Sequence, residues 1–231
     1  MTLNEFASKA VYKVVRKVSG NPDAGTVDQF LHKAKGLIHV GANTGQERKL
    51  YAQHGLKVVW VEPIPSVFAT LQSNLAQFPD QVAFERLVAD RDGAKYTLNI
   101  ANNGGESSSI LDLARHREIW PDVAFTGALE LEAVTLSTLV REQAIDMNAY
   151  DGLVLDTQGS ELLILKGAGD LLVQFRYVKC EVADFESYAG CCQLPELNAF
   201  MASKGFKQKC RTQCVGSTVA GTYYDVLYQR Q

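Results

Sequence analysis

Residues 37–63 read LIHVGANTGQERKLYAQHGLKVVWVEP, and this stretch decides the fold. A short apolar run (37–40) is followed by a turn of small residues (41–45), a helix-compatible segment (46–54) and a second apolar run (58–61). This order predicts a βαβ unit of a nucleotide-binding sheet, in which two parallel strands flank a helix.

The turn between the first strand and the helix has the features of a ligand site. Gly41 and Gly45 allow the backbone to approach a ligand closely, and a helix start offers N–H groups to a carboxylate or phosphate. Glu62 ends the second strand about 20 residues after Gly41, where nucleotide-binding folds place the acid that binds ribose. The alternative is a structural turn with Glu62 on the surface.

The spacing of the glycines limits the choice of ligand. The turn is G-x-x-x-G, so it lacks the third glycine of nicotinamide enzymes, and no Lys-Ser/Thr pair follows Gly45 as in a P-loop. An adenosine ligand without a pyrophosphate fits best, and S-adenosylmethionine is such a ligand. An NAD(P)-dependent oxidoreductase and a non-catalytic binding protein are the alternatives.

The composition is that of an ordinary globular protein. The 231 residues are 46% hydrophobic and 21% charged, with a net charge of −3. No basic surplus favours nucleic acid as a partner, and no run reaches the roughly 20 apolar residues of a membrane span. We expect no secretory signal in the N-terminal 20 residues, because Lys and Arg interrupt their apolar positions. We therefore expect a cytoplasmic protein with an N-terminal helical extension (1–35) and one catalytic domain (36–231).

Two further segments of the chain bear on partners and ligands. Residues 4–18 have amphipathic helical spacing; they are expected to cover the sheet, and peripheral membrane contact is the alternative. Five cysteines, an odd number, argue against a disulfide framework and for reduced thiols. A zinc site at Cys191, Cys192, Cys210 and Cys214 is the alternative.

A second informative region supplies acidic residues. Asp156 closes the apolar strand 153–155, and Glu181 lies near the end of a strand predicted over 176–182. Ligands of doubly wound sheets gather outside the carboxyl ends of the strands, so both acids are expected beside the ligand. Residues 102–128 form a predicted substrate-facing insertion, in which Ser107–Ser109 are candidates for holding a polyol; a solvated loop is the alternative.

Several motifs in sequence order make the chain resemble the FkbM family of S-adenosylmethionine-dependent methyltransferases. They are VGANTGQE (40–47), VEPIP (61–65), ESSSIL (106–111), LDTQGSELLILKGA (155–168), CEV (180–182) and ESYAG (186–190). The resemblance implies a class I methyltransferase fold, a Rossmann-like α/β sheet of seven strands in the order 3-2-1-4-5-7-6. Strand 7 is then antiparallel and helices cover both faces. It also implies methylation of hydroxyl groups on sugars, glycolipids or related polyols and secondary metabolites.

The resemblance also implies the roles of individual residues. His39 stands where many methyltransferases of this fold have an acid for the methionine amine, and it is included in the cofactor site. Glu62 would bind the ribose hydroxyls, and Asp156 would lie beside the methyl group with Glu161 and Glu181 around the acceptor. The other implied cofactor contacts are Gly41, Ala42, Asn43 and Gly45 at the methionine end and Ala89 and Asp90 at the adenine.

Methyl transfer to a hydroxyl requires a base that removes the proton. Asp156 is the first candidate, Glu181 the second and His116 the third. A purely structural Asp156 at the start of the next helix is the alternative. Asp156 and Glu181 on adjacent strands could also bind Mg²⁺, which would polarise the hydroxyl directly.

Overall fold

The computed structural model describes residues 26–217 and 220–231. The amphipathic helix predicted over 4–18, and with it any membrane contact of that helix, lies outside the described residues. Within 26–35, where a short helix is expected, a 3-10 helix spans Gln29–His32. Among the described residues, no helix has both the length and the apolar character needed to cross a bilayer.

The part of the chain that the structure describes contains ten strands and five α-helices. The strands are β1 (Gly36–Val40), β2 (Lys57–Val61), β3 (Gln81–Phe84), β4 (Leu87–Val88), β5 (Lys95–Ala101), β6 (Phe125–Val134), β7 (Gly152–Leu155), β8 (Tyr177–Ala183), β9 (Phe206–Ser217) and β10 (Gly221–Arg230). The helices are α1 (Arg48–Gln53), α2 (Pro65–Leu75), α3 (Leu136–Glu142), α4 (Glu161–Gly167) and α5 (Leu194–Ser203).

Seven of these strands form one sheet in the order β3-β2-β1-β7-β8-β10-β9. All neighbours from β3 to β8 are parallel, whereas β10 is antiparallel to both β8 and β9. Counted within this sheet alone, the order is the predicted 3-2-1-4-5-7-6 with the seventh strand antiparallel. The strand numbers used here differ from the predicted ones because β4, β5 and β6 belong to a separate sheet.

Those three strands form a second sheet in the order β4-β6-β5, which the sequence did not predict. The sequence of residues 82–88, VAFERLV, predicts one strand, the third of the sheet. That prediction is wrong, because the segment is divided into β3, in the large sheet, and β4, which pairs with β6. The chain therefore changes sheets at residues 85 and 86. The predicted insertion 102–128 falls between β5 and β6 for most of its length, and its role in acceptor choice stays a prediction.

Alternate residues of the large sheet pack into two cores. On β1, Leu37 belongs to one core with residues of the Gln29–His32 segment, α1 and α2. Ile38 and Val40 belong to the other core, with residues of α3, α4 and α5. All five residues of β1 are buried, which is the pattern of a central parallel strand covered on both faces. The predicted cover of helices on both faces is confirmed.

Candidate active site

The turn after β1 packs directly against the end of β7. Gly41 has φ +82°, and a Cβ atom there would lie 1.8 Å from the carbonyl oxygen of Asp156. The Asp156 N–H donates to the carbonyl of Val40 at 3.1 Å. Only glycine permits this approach, so the turn and the first candidate base are held together at the carboxyl edge of the sheet.

The backbone N–H groups of this turn are already used within the protein. Those of Gly41 and Ala42 both donate to the carbonyl of Val61 at 3.0 Å, and that of Gly45 donates to the carbonyl of Ala42. The N–H of Thr44 donates to Asn43 Oδ1 at 2.8 Å. The expected role of the turn N–H groups as ligand donors is therefore not supported for residues 41–45. What the turn contributes is shape and the Asn43 side chain.

Glu62 is a buried carboxylate that faces the same turn. Only 4% of the residue is exposed. One oxygen accepts from the Asn43 N–H and the other from the Ile64 N–H, both at 2.9 Å. Burial raises the pKa of Glu62 to about 7, although the two backbone N–H groups oppose that shift. A carboxylate has about four lone-pair sites, so each oxygen can accept one more hydrogen bond.

A cleft of about 550 Å³, part of it open to solvent, lies between the turn, Glu62 and Asp156. The loop after β5 closes one side, where Gly105 lies against Ile64 and the Asn43 side chain. The residues lining the cleft include Gly41, Asn43, Glu62, Ile64, Arg86, Leu87, Val88, Leu98, Glu106, Ser108, Ser109, Asp156 and Gln158.

Two predicted adenine contacts are not among these lining residues. Ala89 is fully buried. Its carbonyl oxygen packs against Gly167 so closely that a Cβ atom added to Gly167 would lie 2.3 Å from it. Asp90 accepts a hydrogen bond from the Tyr96 hydroxyl and pairs with Arg91. Arg86, Leu87 and Val88 line the cleft instead. The strand of the large sheet, β3, ends at Phe84, four residues before the end of the single predicted strand, and the chain then forms β4.

His39 also lies away from the cleft. Its ring is buried, stacks on Trp60 with centroids 4.8 Å apart and is hydrogen-bonded through Nδ1 to the Tyr51 hydroxyl at 3.2 Å. Burial, with a smaller effect of Lys179, lowers its pKa to about 3. The side chain is therefore a neutral part of the core beneath α1, and the structure gives no support to its predicted contact with the methionine amine.

Asp156 and Glu181 come together as predicted, and Gln158 joins them. Gln158 Nε2 donates to Asp156 Oδ1 and to Glu181 Oε2, both at 2.9 Å. Loss of solvation in the surrounding protein raises the pKa of both acids, and other carboxylates, among them Asp225, raise it further. The hydrogen bonds from Gln158 act in the opposite direction. Asp156 is exposed at the cleft, whereas Glu181 is half-buried.

Glu161 is turned into the loop that precedes α4. Its carboxylate accepts from the N–H and the hydroxyl of Thr157 and from the Gly159 N–H. Only 2% of the residue is exposed, and burial raises its pKa. All of these contacts shape the loop that presents Asp156 and Gln158. A part in holding the acceptor stays a prediction.

The three serines of the polar loop make contacts within the protein. Ser107 exchanges hydrogen bonds with the Asn103 side chain and does not line the cleft. Ser108 Oγ accepts from the Ala101 N–H at 3.0 Å. Ser109 Oγ donates to the Gln158 carbonyl at 2.7 Å. The described contacts fasten the loop, so the predicted polyol binding by these hydroxyls has no direct support.

His116 lies in an aromatic cluster rather than on the cleft. It is 2% exposed, stacks on Trp120 and is hydrogen-bonded through Nδ1 to the Tyr223 hydroxyl at 2.7 Å. Burial lowers its pKa to about 4. Its ring centroid is 5.0 Å from that of Tyr188, whose hydroxyl contacts Gln158. His116 is therefore separated from Gln158 by one aromatic ring, and its role as base stays a prediction.

The expected metal chemistry does not match this site. Over the described ranges, no group of three or more His, Cys, Asp or Glu residues is arranged to hold a metal ion. Between Asp156 and Glu181 the structure places the amide nitrogen of Gln158, which is a donor, so the donor set does not fit Mg²⁺. All five cysteines are free thiols, and burial raises the pKa of Cys180 and Cys192.

The sequence did not single out four residues that belong to this region: Arg86, Glu106, Gln158 and Tyr188. Gln158 had a signal, because a long polar side chain lies two residues after Asp156 and directly before a glycine. Its φ of +55° is unusual for a residue other than glycine and marks a constrained loop. Tyr188 lies in the ESYAG motif (186–190), but that motif gave no sign of its contact with Gln158, which spans 30 positions of the chain.

A model of the FkbM methyltransferase domain matches residues 39–207. No curated protein matches the chain in sequence. Among solved structures, magnesium protoporphyrin IX methyltransferase (ChlM) from Synechocystis PCC 6803 with bound SAM aligns with a TM-score of 0.50 and 10% identity, covering 99% of this chain and 82% of that one.

An uncharacterized protein (LMOf2365_1472) from Listeria monocytogenes serotype 4b aligns with a TM-score of 0.50 and 9% identity, covering 93% of this chain and 69% of that one. At these identities the alignments show a common fold and nothing about substrate.

Proposed function

Because this chain belongs to the FkbM family of S-adenosylmethionine-dependent methyltransferases, we propose that it transfers a methyl group to a hydroxyl of a sugar, glycolipid or related polyol. The observation that supports this proposal is the cleft at the carboxyl edge of the sheet. Glu62 and Asp156 face it from opposite sides, and the Gly41 turn joins them.

The residues of the cleft fit S-adenosylmethionine. Glu62 retains two free acceptor positions for a ribose diol, and Leu87, Val88 and Ile64 offer apolar contact to a base. Asn43 and the close approach of Gly41 would leave room for the methionine end. When bound, the cofactor supplies a methyl group on a positively charged sulfur.

The protein's own part in the reaction is alignment and proton removal. The walls of the cleft would place an acceptor hydroxyl in line with the methyl group and exclude water, which can lower a barrier by roughly 7–11 kcal/mol when the geometry is good. Asp156, exposed at the cleft and 2.9 Å from the Gln158 amide, would receive the hydroxyl proton as the new carbon–oxygen bond forms.

Family membership favours this function over the oxidoreductase that the sequence left open. The remaining alternative is a binding protein without activity. Calorimetry with S-adenosylhomocysteine separates the steps: we expect saturable binding by the wild-type chain. Labelled methyl transfer to extracted glycans and glycolipids, with and without Mg²⁺, then tests catalysis. Binding without transfer to any fraction would favour the non-catalytic alternative, and absence of binding at millimolar ligand would contradict the proposal.

A further inference from the structure

In the loop between β7 and α4, hydrogen bonds to both the backbone and the side chain of Gln158 hold its amide group in place. The Gln158 backbone carbonyl accepts from Ser109 Oγ at 2.7 Å, and its side-chain Oε1 accepts from the Tyr188 hydroxyl at 2.8 Å. The same hydroxyl lies 3.2 Å from the Ser107 carbonyl, so Gln158 Oε1 is the nearer of its two acceptors. Tyr188 is fully buried, so its hydroxyl cannot move away without opening the core. The side chain is therefore held at its oxygen, which leaves the nitrogen directed at the acids.

The two hydrogens of that nitrogen serve two carboxylates. Nε2 lies 2.9 Å from Asp156 Oδ1 and 2.9 Å from Glu181 Oε2. Without a donor between them, two carboxylates this close repel each other, and one takes up a proton. A donor that contacts both favours the charged form of each. Gln158 thus opposes protonation at the place where a base must be free to accept a proton.

We propose that Gln158, oriented by Tyr188, is a positioning residue that keeps Asp156 available as the base by donating one hydrogen bond to it and one to Glu181. This inference rests on the proposed function for its catalytic consequence. Its structural part, that one amide controls the protonation of both acids, holds whether or not the methyl acceptor is a hydroxyl.

Other titratable groups face the same pair and set the background for any pH dependence. Asp225 on β10 is the cross-strand partner of Glu181, and it lies 3.4 Å from Lys179 Nζ. Glu161 on α4 and Glu47 before α1 act on Asp156 through space, and Glu161 also acts on Glu181. Tyr223 and the thiols of Cys191 and Cys192 line a small cavity together with Glu181 and Gln158. None of these groups is changed by the substitutions below.

The test replaces the amide by an apolar group of similar length. In Gln158→Met, the pH at which Asp156 and Glu181 titrate, followed by NMR of labelled side-chain carboxyl carbons, is expected to rise by about one pH unit. The acidic limb of the plot of kcat against pH is expected to shift to higher pH by the same amount. At a fixed pH on that limb, kcat is then about tenfold lower than in the wild type. Affinity for S-adenosylhomocysteine should fall less than kcat, because Gln158 lines the cleft but makes no hydrogen bond to Glu62 or to the Gly41 turn.

Tyr188→Phe supplies a milder second variant. It leaves the amide in place but removes the hydroxyl that orients it, so both measurements should move in the same direction by a smaller amount. In the double variant, Tyr188→Phe should add nothing to the titration shift of Gln158→Met. Gln174→Met, an exposed substitution of the same kind, is the matched control and should change neither measurement.

The outcomes separate this inference from the proposed function. Unchanged carboxyl titration in Gln158→Met overturns the inference, as does a loss of cofactor affinity as large as the loss of kcat. If Gln158→Met does not fold, the titration in Tyr188→Phe decides, and an unchanged profile there overturns the inference. A wild-type protein that transfers no methyl group contradicts the proposed function, while the titration still decides what Gln158 does.

Discussion

The cleft has two sides that are built in different ways. The turn side consists of Gly41–Gly45 and Glu62, and its polar groups are fixed by backbone N–H and carbonyl groups. The carboxylate side consists of Asp156, Gln158 and Glu181, and its acids are joined by a side-chain amide that another side chain orients. A backbone-built side tolerates changes of neighbouring side chains, whereas the other side depends on particular residues far apart in the chain.

The largest effect is expected where the two sides touch. In Gly41→Ala the new Cβ would lie 1.8 Å from the Asp156 carbonyl oxygen at a φ that alanine avoids. We expect a loss of at least about 3 kcal/mol in the free energy of unfolding, measured with denaturant. Gly55→Ala is the control: it has a similar φ and nothing within 4 Å, so about 1 kcal/mol is expected. Equal losses in both variants would show that the two sides are not in contact.

Asp156→Asn tests the carboxylate side alone. Removal of a general base typically costs 10²–10⁴-fold in rate, so we expect kcat to fall by roughly 100-fold or more. Affinity for S-adenosylhomocysteine should change little, since the turn side stays intact. The two constants are measured on the same preparation by labelled transfer and calorimetry. A variant with full kcat would leave Asp156 a structural residue.

Glu62→Ala tests the turn side alone. Two hydrogen bonds that the ribose hydroxyls would donate to a charged acceptor are lost, and at about 1.5–3 kcal/mol each they predict a loss of affinity of roughly 100-fold or more. Calorimetry with S-adenosylhomocysteine measures it. Glu85→Ala, an exposed acid that does not line the cleft, is the control and should bind as the wild type does. Equal affinity of the two variants would contradict the ribose assignment.

The pH dependence of cofactor binding distinguishes the two sides without a substitution, because it is expected to depend on Glu62 and not on Asp156. The pKa of Glu62 is raised to about 7, so the carboxylate becomes protonated as pH falls through 7 and loses acceptor capacity. Affinity for S-adenosylhomocysteine should therefore weaken by up to about tenfold per pH unit below 7. Asp156→Asn should keep this dependence. A flat profile from pH 5.5 to 8 would mean that Glu62 does not contact the ligand.

The same titration has an opposite consequence for folding. Because the pKa of Glu62 is higher in the folded protein than its ordinary value of 4.5, the unfolded chain binds fewer protons between these two values. The contribution of Glu62 to the free energy of unfolding therefore falls as pH rises from about 4.5 to 7. Cofactor binding and stability of the free protein should thus change in opposite directions over this range.

The smallest expected effect concerns the link from the polar loop to the carboxylate side. Ser109→Ala removes the hydrogen bond to the Gln158 carbonyl and the one that Ser109 Oγ accepts from the Leu111 N–H. We expect a loss of about 1–2 kcal/mol in the free energy of unfolding, measured by denaturant titration. A lower kcat at unchanged cofactor affinity would show that the loop acts on the carboxylate side, through the position of Gln158. A change in affinity alone would place it on the turn side.

The turn side was the more predictable from sequence. Residues 37–63 form β1, the Gly41 turn, α1 and β2 within 27 consecutive positions, so local rules identify them and the place of Glu62. Those rules were wrong about how the turn works, because the carbonyl of Val61 on the neighbouring strand takes the N–H groups of Gly41 and Ala42. That contact depends on strand register, which sequence spacing alone does not give.

The carboxylate side was predicted only in part. Asp156 was found because it directly follows an apolar run, and Glu181 because it lies near the end of a predicted strand; parallel strands end at the same edge. Gln158 was missed because its importance comes from Tyr188 and Glu181, which lie 30 and 23 positions away. The shift from Ala89 and Asp90 to Leu87 and Val88 has a similar cause, since β4 pairs with β6, about 45 positions further along the chain.

The small sheet of β4, β5 and β6 has its own hydrogen-bonded ladders, none of which pairs with a strand of the large sheet. The loop between β5 and β6 nevertheless reaches the cleft through Gly105, Glu106 and Ser108. Protein engineers could therefore exchange this loop to alter which molecules enter, while the register of the seven-stranded scaffold stays as it is. Such an exchange would have to keep Ser109 and His116, which tie the loop to Gln158 and to Tyr223 on the large sheet.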